Sequence, residues 1–473
     1  MGTTAVSQEA TNSRGSMTEG PIAAPLVLFA VPMLVTNFFQ QFYVTVDSMI
    51  VGQWSGNVAL GAVSTCAFLI STIVCFFNGL SVGAGVVLAQ LFGARDTRRF
   101  GNAVWGAGAL SVVGGLLMTA LCVALSRPCL SLMNLEGDVL GQAVLYMRTY
   151  ALGMLPMVVY NMGSAVFRAH GDSRTPMVVL AVSSVLNLLL ACLFVIVLSL
   201  GVLGAALATA CAQLFSAVLT VSLVWRRRTM LYIDGPRPPI DRALVKRMLV
   251  VGVPNGVQMM VICLSGVIVS SQINLYGIEA MDGYGAYTKI DGWLYMPIGS
   301  IQSAIVMFVG QNIGAGRYDR AKRGVLVGMG LAVGTTLALC ALMWAVRYPV
   351  LGMFSPDPEV VHYGVQAMAM LLPLYWVYAI YMALCGLYYG VGTTVAPMLF
   401  ALTFMCVMRI AWVLGVQAIA PSTTTIYLSY PISWCCMVVG LTLYYRVGTW
   451  RYKEQIRAVP WIGRVQEEGA VQA

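Results

Sequence analysis

Apolar residues in this chain come in long unbroken runs rather than in alternation or along one helical stripe. Twelve such runs lie near 25–52, 61–91, 101–125, 140–167, 176–199, 202–225, 246–276, 283–310, 324–346, 361–388, 396–419 and 424–445. Each is long enough for the roughly 20 residues a helix needs to cross about 30 Å of hydrocarbon. Barrel strands would alternate over about ten residues, and these runs are apolar all round, so the pattern predicts twelve helices. They are numbered spans 1 to 12 below.

The polar stretches between the runs divide the chain. They predict a disordered tail at 1–20, a six-helix lobe at 21–226, a linker at 227–245, a second six-helix lobe at 246–446 and a tail at 447–473. The opening segment MGTTAVSQEATNSRGSMTEG has no apolar core of the signal-peptide kind. With 59% hydrophobic and only 10% charged residues, composition places the whole chain in a bilayer.

A formal charge of +9 would suit nucleic acid, and the positions of the basic residues argue against it. If the first residue is cytoplasmic, Arg14, Arg95, Arg98, Arg99, Arg168, Arg174 and the clusters at 226–247, 314–323 and the C-terminal tail all fall on one side. Only Arg127 and Arg347 fall in the opposite loops, while Arg148, Lys289 and Arg409 lie within spans. That asymmetry predicts cytoplasmic termini and contact with anionic lipid, with no nucleic-acid role. The short loops suit a bacterial inner membrane. The twelve cysteines sit in or at the edges of spans with no CxxC pair, so they read as small core residues.

Two loops repeat each other. Gln90, Gly93 and Ala94 after span 2 match Gln311, Gly314 and Ala315 after span 8, each pair 221 positions apart. Gly171 and Pro176 before span 5 stand at the same displacement from Gly392 and Pro397 before span 11. One constant displacement across six helices predicts two bundles of the same orientation, related by a pseudo-two-fold axis along the membrane normal. Two bundles that rock about a midplane cavity can open it to each side in turn.

Few residues inside the spans can carry chemistry. Asp47 stands among Val44, Val46, Met49, Ile50 and Val51, where an ionised carboxylate costs about 2.5 to 3.5 kcal/mol. Gln40, Tyr43 and Asp47 share a helical face, which predicts a polar strip turned toward the N-terminal bundle. Burial disfavours the charged carboxylate, which suits a group that takes up and gives back a proton. The bland alternative is an aspartate that stays neutral and hydrogen-bonded, or solvated near the outer surface. Asn187 in span 5 and Thr209 in span 6 are either partners for Asp47 or helix–helix glue. Pro32 in span 1 and Pro254 in span 7 each remove a backbone hydrogen bond, serving as hinges or as fixed kinks.

In the second half, Asp291 offers another cation or proton site, or an ion pair with Arg409. Lys289 stands two positions before Asp291 and points to a different face. Arg148 either snorkels or pairs inside its bundle. Methionines and tryptophans can line a cavity for apolar cations, though most serve as core. No nucleophile elbow, Walker loop or HExxH occurs, and neither His170 nor His362 lies at membrane depth, so an enzyme is not expected.

The set of Q-x-x-G-A after spans 2 and 8, Arg168 to Pro176 (RAHGDSRTP) before span 5 and VDSMIVG in span 1 resembles the multidrug and toxic compound extrusion (MATE) family, over about residues 21 to 446. The chain looks closest to its DinF-like branch. That resemblance implies a secondary antiporter that expels organic, often cationic, compounds in exchange for protons or sodium, without a cofactor or bound metal, as a monomer. It makes Asp47 the coupling residue, with Tyr43, Asn187 and Thr209 beside it and Pro32 as the kinking proline. Gln40, Gln258, Asp291 and Arg409 are candidates for the substrate cavity. Two departures stand out: Ala191 occupies a position where many relatives have aspartate, and the span 7 glutamate of the NorM-like branch is absent, with Gln258 nearby. A sodium ion, like other hard cations, favours several oxygen ligands, so these departures tilt the expectation toward protons. The wider superfamily also contains flippases for lipid-linked saccharides, which is the alternative reading.

Overall fold

In the computed structural model the described residues are 17–54, 56–132, 137–233, 235, 239–419 and 421–457, and every regular element among them is helical. All twelve expected runs are helices: Ala23–Trp54, Gly56–Gly93, Thr97–Leu132, a broken pair in span 4, Arg174–Ala191, Gly201–Arg226, Arg242–Ile273, Ile278–Gly314, Tyr318–Ala345, Pro358–Leu371 continued by Tyr375–Val391, Val395–Phe400 continued to Ile419, and Thr423–Arg457. Eleven are long and apolar enough to cross a membrane, and the broken pair Val139–Ala151 and Met154–Ala169 makes a twelfth. In hydrocarbon every backbone N–H must be met internally, and a helix does this along its own length.

Span 4 bends by 42° at Leu152 and Gly153. Pro156 has no N–H to offer the Leu152 carbonyl, so the ladder breaks one turn before it. The N–H groups of Leu152 and Gly153 turn back to Thr149 and Tyr150 at 3.1 and 2.9 Å. Thr119 of span 3 donates to the Ala151 carbonyl at 3.2 Å, satisfying an acceptor at the break.

Several boundaries differ from the sequence expectation. The tail expected to be disordered at 1–20 is pinned over its described part: Met17 N donates to Gln311 Oε1 at 2.8 Å, Arg320 to the Gly20 carbonyl at 2.7 Å, and Arg317 pairs with Glu19 at 3.3 Å. Gln311 of the Q-x-x-G-A loop thus holds the entry to span 1. The last helix continues to Arg457, so that the first eleven residues of the segment read as a tail from 447 are helical.

By internal contacts the described chain forms two units. The first comprises Val31–Phe92 and Asp96–Gly256; the second comprises Met17–Ala30, Gly93–Arg95 and the residues from Val257 onward. The chain passes between them inside spans 1 and 7, within three residues of Pro32 and Pro254 respectively, and twice more around the Gly93–Arg95 turn after span 2. Within the first unit, spans 2 and 7 meet backbone to backbone. A Cβ added at Gly79 would lie 2.4 Å from Gly256 Cα, and one at Gly83 would lie 2.3 Å from Gly252 Cα. Two glycine-x-x-x-glycine faces therefore interlock, and Asn255 Nδ2 donates to the Gly79 carbonyl at 3.3 Å across the contact.

The R-x-x-G-D-S-R-T-P motif starts span 5. Asp172 Oδ1 accepts the N–H groups of Arg174 and Thr175 at 3.0 Å each, Thr175 Oγ1 donates to Oδ2 at 2.6 Å, and Arg227 Nη1 pairs with Oδ2 at 2.7 Å. Burial alone would push this carboxyl up, and the bonds from Thr175 and Arg227 outweigh it, holding Asp172 below the usual carboxylate range. Its folded pKa is depressed, so the stabilisation is present above the unfolded value of about 3.9 and is lost as pH falls through the folded one. Asp172→Asn should lower the melting temperature at pH 7, corresponding to about 1 to 2 kcal/mol. The gap to the parent should narrow below about pH 4, and an equal gap at pH 3 and pH 7 would contradict this account.

Candidate functional site

Two polar residues of the first unit, Asn187 and Thr209, meet where spans 5 and 6 pack together. Asn187, buried in span 5, donates from Nδ2 to Thr209 Oγ1 of span 6 at 3.4 Å. Thr209 in turn donates to the Ala205 carbonyl at 3.2 Å. The amide oxygen of Asn187 is buried and has no hydrogen-bond partner among the described residues. A buried amide oxygen left this way costs about 1 to 3 kcal/mol unless something fills the gap.

A cavity of about 40 Å³ supplies the room. It is lined by Phe39, Phe42 and Val46 of span 1 and by Ser184, Val185, Asn187 and Leu188 of span 5. Phe39 and Val46 are seven positions apart, so one face of span 1 stands over Asn187. The backbones of Tyr43 and Asp47 belong to the same two turns of helix Ala23–Trp54, and their side chains lie outside the described residues. Asp47 is flanked along the helix by Val46 and Ile50, which pack into an apolar cluster with Ala191, Val195, Ala205 and Ala206. Ala191 itself is fully buried there.

Pro32 is buried two turns before Phe39, and Thr36 Oγ1 donates back to its carbonyl at 2.8 Å. Gln40 is exposed and takes no part in the Asn187 contact.

The second unit carries its own polar centre. Asp291 Oδ1 accepts from Tyr287 Oη at 3.0 Å and from Tyr375 Oη at 2.7 Å. The ion pair with Arg409 that the sequence left open is not what forms. Arg409 Nη2 donates to Ser433 Oγ at 2.6 Å, and its guanidinium lies 4.3 Å from the Tyr430 ring centre. Tyr430 and Tyr284 share a 2.7 Å hydroxyl contact. Phenol groups meet the aspartate oxygen while a serine and a ring meet the guanidinium, so each charge is accommodated without the other. Gln258 donates to Tyr381 Oη at 3.3 Å. Lys289 is exposed, as its different helical face required. Arg148 resolves toward pairing: its Nε donates to Ser126 Oγ at 3.2 Å.

Sequence reasoning missed the aromatic wall of this centre. Tyr375, Tyr378 and Tyr381 follow one another along span 10 with tilted rings, and Trp434 of span 12 lies 5.4 Å from Tyr375 and 5.2 Å from Tyr378. The signal was present in YWVYAIY, whose tyrosines recur every third residue.

Comparison with known proteins gives a consistent picture. The family model MatE matches residues 32–193 and 254–413, one segment in each half, as the loop repeat requires. The chain is 27% identical over 452 residues to "Probable multidrug resistance protein YpnP" of Bacillus subtilis (strain 168), covering 92% of this chain and 97% of that protein. It is 24% identical over 392 residues to "Probable multidrug resistance protein NorM" of Thermotoga maritima, covering 82% and 83%. Solved structures titled as MATE in the straight and in the bent conformation each superpose with a TM-score of 0.83 at 20% identity, covering 94% and 95% of this chain and 98% of each of those chains.

Proposed function

Because the chain belongs to the MATE family, and is therefore a multi-pass membrane transporter and not an enzyme, we propose that it is a proton-coupled antiporter that exports organic, often cationic, compounds. Asp47 binds the proton on the outer side, span 1 rearranges about Pro32, the compound leaves, and the proton is released inward as the two bundles rock. Pro254 is the matching hinge in span 7. Tyr43, Asn187 and Thr209 orient the carboxyl group and its proton. Asp291 with its tyrosines, Gln258 and Arg409 contribute to substrate binding within the second unit, where rings and one carboxylate suit an organic cation, and Gln40 is a further candidate on span 1.

The observation that carries this reading is the Asn187–Thr209 pair, with its unmet amide oxygen on a cavity under the Asp47 turn of span 1. Ala191 supports protons over sodium, since a methyl at this position offers a hard cation no oxygen ligand. The distribution of basic residues supports cytoplasmic termini in a bacterial inner membrane, and nothing in the cycle requires more than one copy.

Exchange of one proton for one monovalent cation moves no net charge. A pH unit contributes about 1.4 kcal/mol and sustains a tenfold concentration ratio, whereas the membrane potential contributes nothing. The test uses sealed proteoliposomes and a fluorescent organic cation. A pH gradient alone should drive uphill transport, and a potassium-diffusion potential alone should not. Transport that follows a sodium gradient with pH clamped would assign the coupling to sodium, and movement of labelled lipid with no cation export would make the protein a flippase.

A further inference from the structure

Beyond Asn187, toward the end of span 5 that begins at Arg174, a second cavity of about 10 Å³ opens between spans 5 and 6. Its lining is regular. Leu180, Ser183, Ser184 and Asn187 come from span 5, and Thr209, Ala212, Gln213 and Ser216 from span 6. Each set stands at positions i, i+3, i+4 and i+7, so one face of each helix, polar but for Leu180 and Ala212, is turned on the other. Asn187 and Ser184 line this cavity and the one under span 1 alike.

The polar seam does not stop there. Thr220, one turn beyond Ser216, is buried with its hydroxyl oxygen unmet among the described residues. Further along, Tyr160 Oη donates to the carbonyl of Pro176 at 3.2 Å, in the first turn of span 5. Asn187 and Pro176 are eleven residues apart, about 16 Å along the helix axis, or roughly half the hydrocarbon thickness. Ser183, Ser184 and Ser216 donate to carbonyls of their own helices at 2.8, 2.8 and 2.7 Å, which leaves their oxygens free to accept.

Hydroxyl pairs that merely glue two helices bond to one another or to the facing backbone. Here Ser183, Ser184 and Ser216 bond within their own helices, and only Asn187 and Thr209 bond across the seam, while the Asn187 amide oxygen and the Thr220 hydroxyl go unmet among the described residues. A void of about 10 Å³ has room for about one water, and the hydroxyl and amide groups on its wall supply that water with partners.

We propose that this seam between spans 5 and 6 is a water-filled path that carries the coupling proton between the Asp47 side of the lobe and the membrane face at the start of span 5. Asn187 is the positioning residue at the junction of the two cavities. At each hop one O–H bond forms on the receiving water as one breaks on the water behind it; the side chains hold the file in place and exchange no proton themselves. The proposal rests on the proton-coupled reading above.

The test is the variant Gln213→Met with Ser216→Ala, in the full chain, reconstituted. Both replacements are isosteric or smaller, which favours retention of the fold, and both remove the polar groups that keep water in the seam. The pH-driven export rate of the fluorescent cation should fall at least tenfold, while the affinity for that cation in detergent stays within twofold of the parent. Gln213→Asn with Ser216→Thr should recover most of the rate. Asp47→Asn, assayed in parallel, separates the two ideas. If Asp47→Asn abolishes export and the seam variant exports within twofold of the parent, the water path is wrong and the coupling residue stands. If Asp47→Asn also exports normally, the coupling reading has failed instead. Should the seam variant not fold, Gln213→Met alone must still slow export at least threefold, and an unchanged rate would overturn the proposal.

Discussion

Asp47→Asn is expected to leave a folded transporter that binds its organic cation and no longer moves it uphill, with pH-driven export falling at least about a hundredfold. The substitution keeps the size and hydrogen-bonding capacity of the side chain and removes its ability to change charge. If one carboxyl group links proton and substrate, the gradient has no other handle on the protein, and a tenfold accumulation per pH unit collapses to equilibration. The surrounding structure sharpens the expectation. Val46 and Ile50, on either side of Asp47 along the helix, pack into an apolar cluster that includes Ala191. The assay is accumulation in proteoliposomes at matched protein density, with thermal unfolding as the control for folding.

The second large effect concerns stability. Replacing both Gly79 and Gly83 by alanine should lower the melting temperature on the order of 10 °C, equivalent to about 3 kcal/mol or more. Each added methyl would fall within 2.4 Å of a backbone atom of Gly256 or Gly252, and no rotamer relieves a clash between a Cβ and a Cα. Spans 2 and 7 would have to separate, losing their close packing and the Asn255 bond to the Gly79 carbonyl. Gly330→Ala is the control, because nothing lies within 4 Å of a Cβ there. That variant should unfold at or slightly above the parent temperature, since alanine is favoured over glycine in a helix by up to about 1 kcal/mol. Equal melting of the double variant and the control would contradict the interlocked contact.

The spans were legible because each solves the same problem alone: an apolar run in lipid has only the helix available to it. Asn187 and Thr209 were legible as polar exceptions in such runs, and their contact is the tertiary consequence of spans 5 and 6 packing side by side. What lay beyond the sequence was partner choice. The glycine pairs of spans 2 and 7 are four among 48 glycines, and nothing local in GLSVG or GVPNG says which faces which. Likewise Asp291 and Arg409 invited a direct ion pair, and only the placement of Tyr287, Tyr375 and Tyr430 shows how each charge is met by other groups. Span 4 read as one run, yet Pro156 already contained its break, a signal passed over because the apolar pattern continues through it. The tail was misjudged at 17–20 since its partners, Gln311, Arg317 and Arg320, stand nearly three hundred residues away.

Proton release on substrate binding tests the account most directly. In weakly buffered detergent solution near neutral pH, adding the organic cation to the purified protein should liberate up to one proton per molecule bound, with none liberated from Asp47→Asn. Tight substrate binding without any proton release, at every pH from 5 to 9, would contradict a carboxyl group shared in turn by proton and cargo.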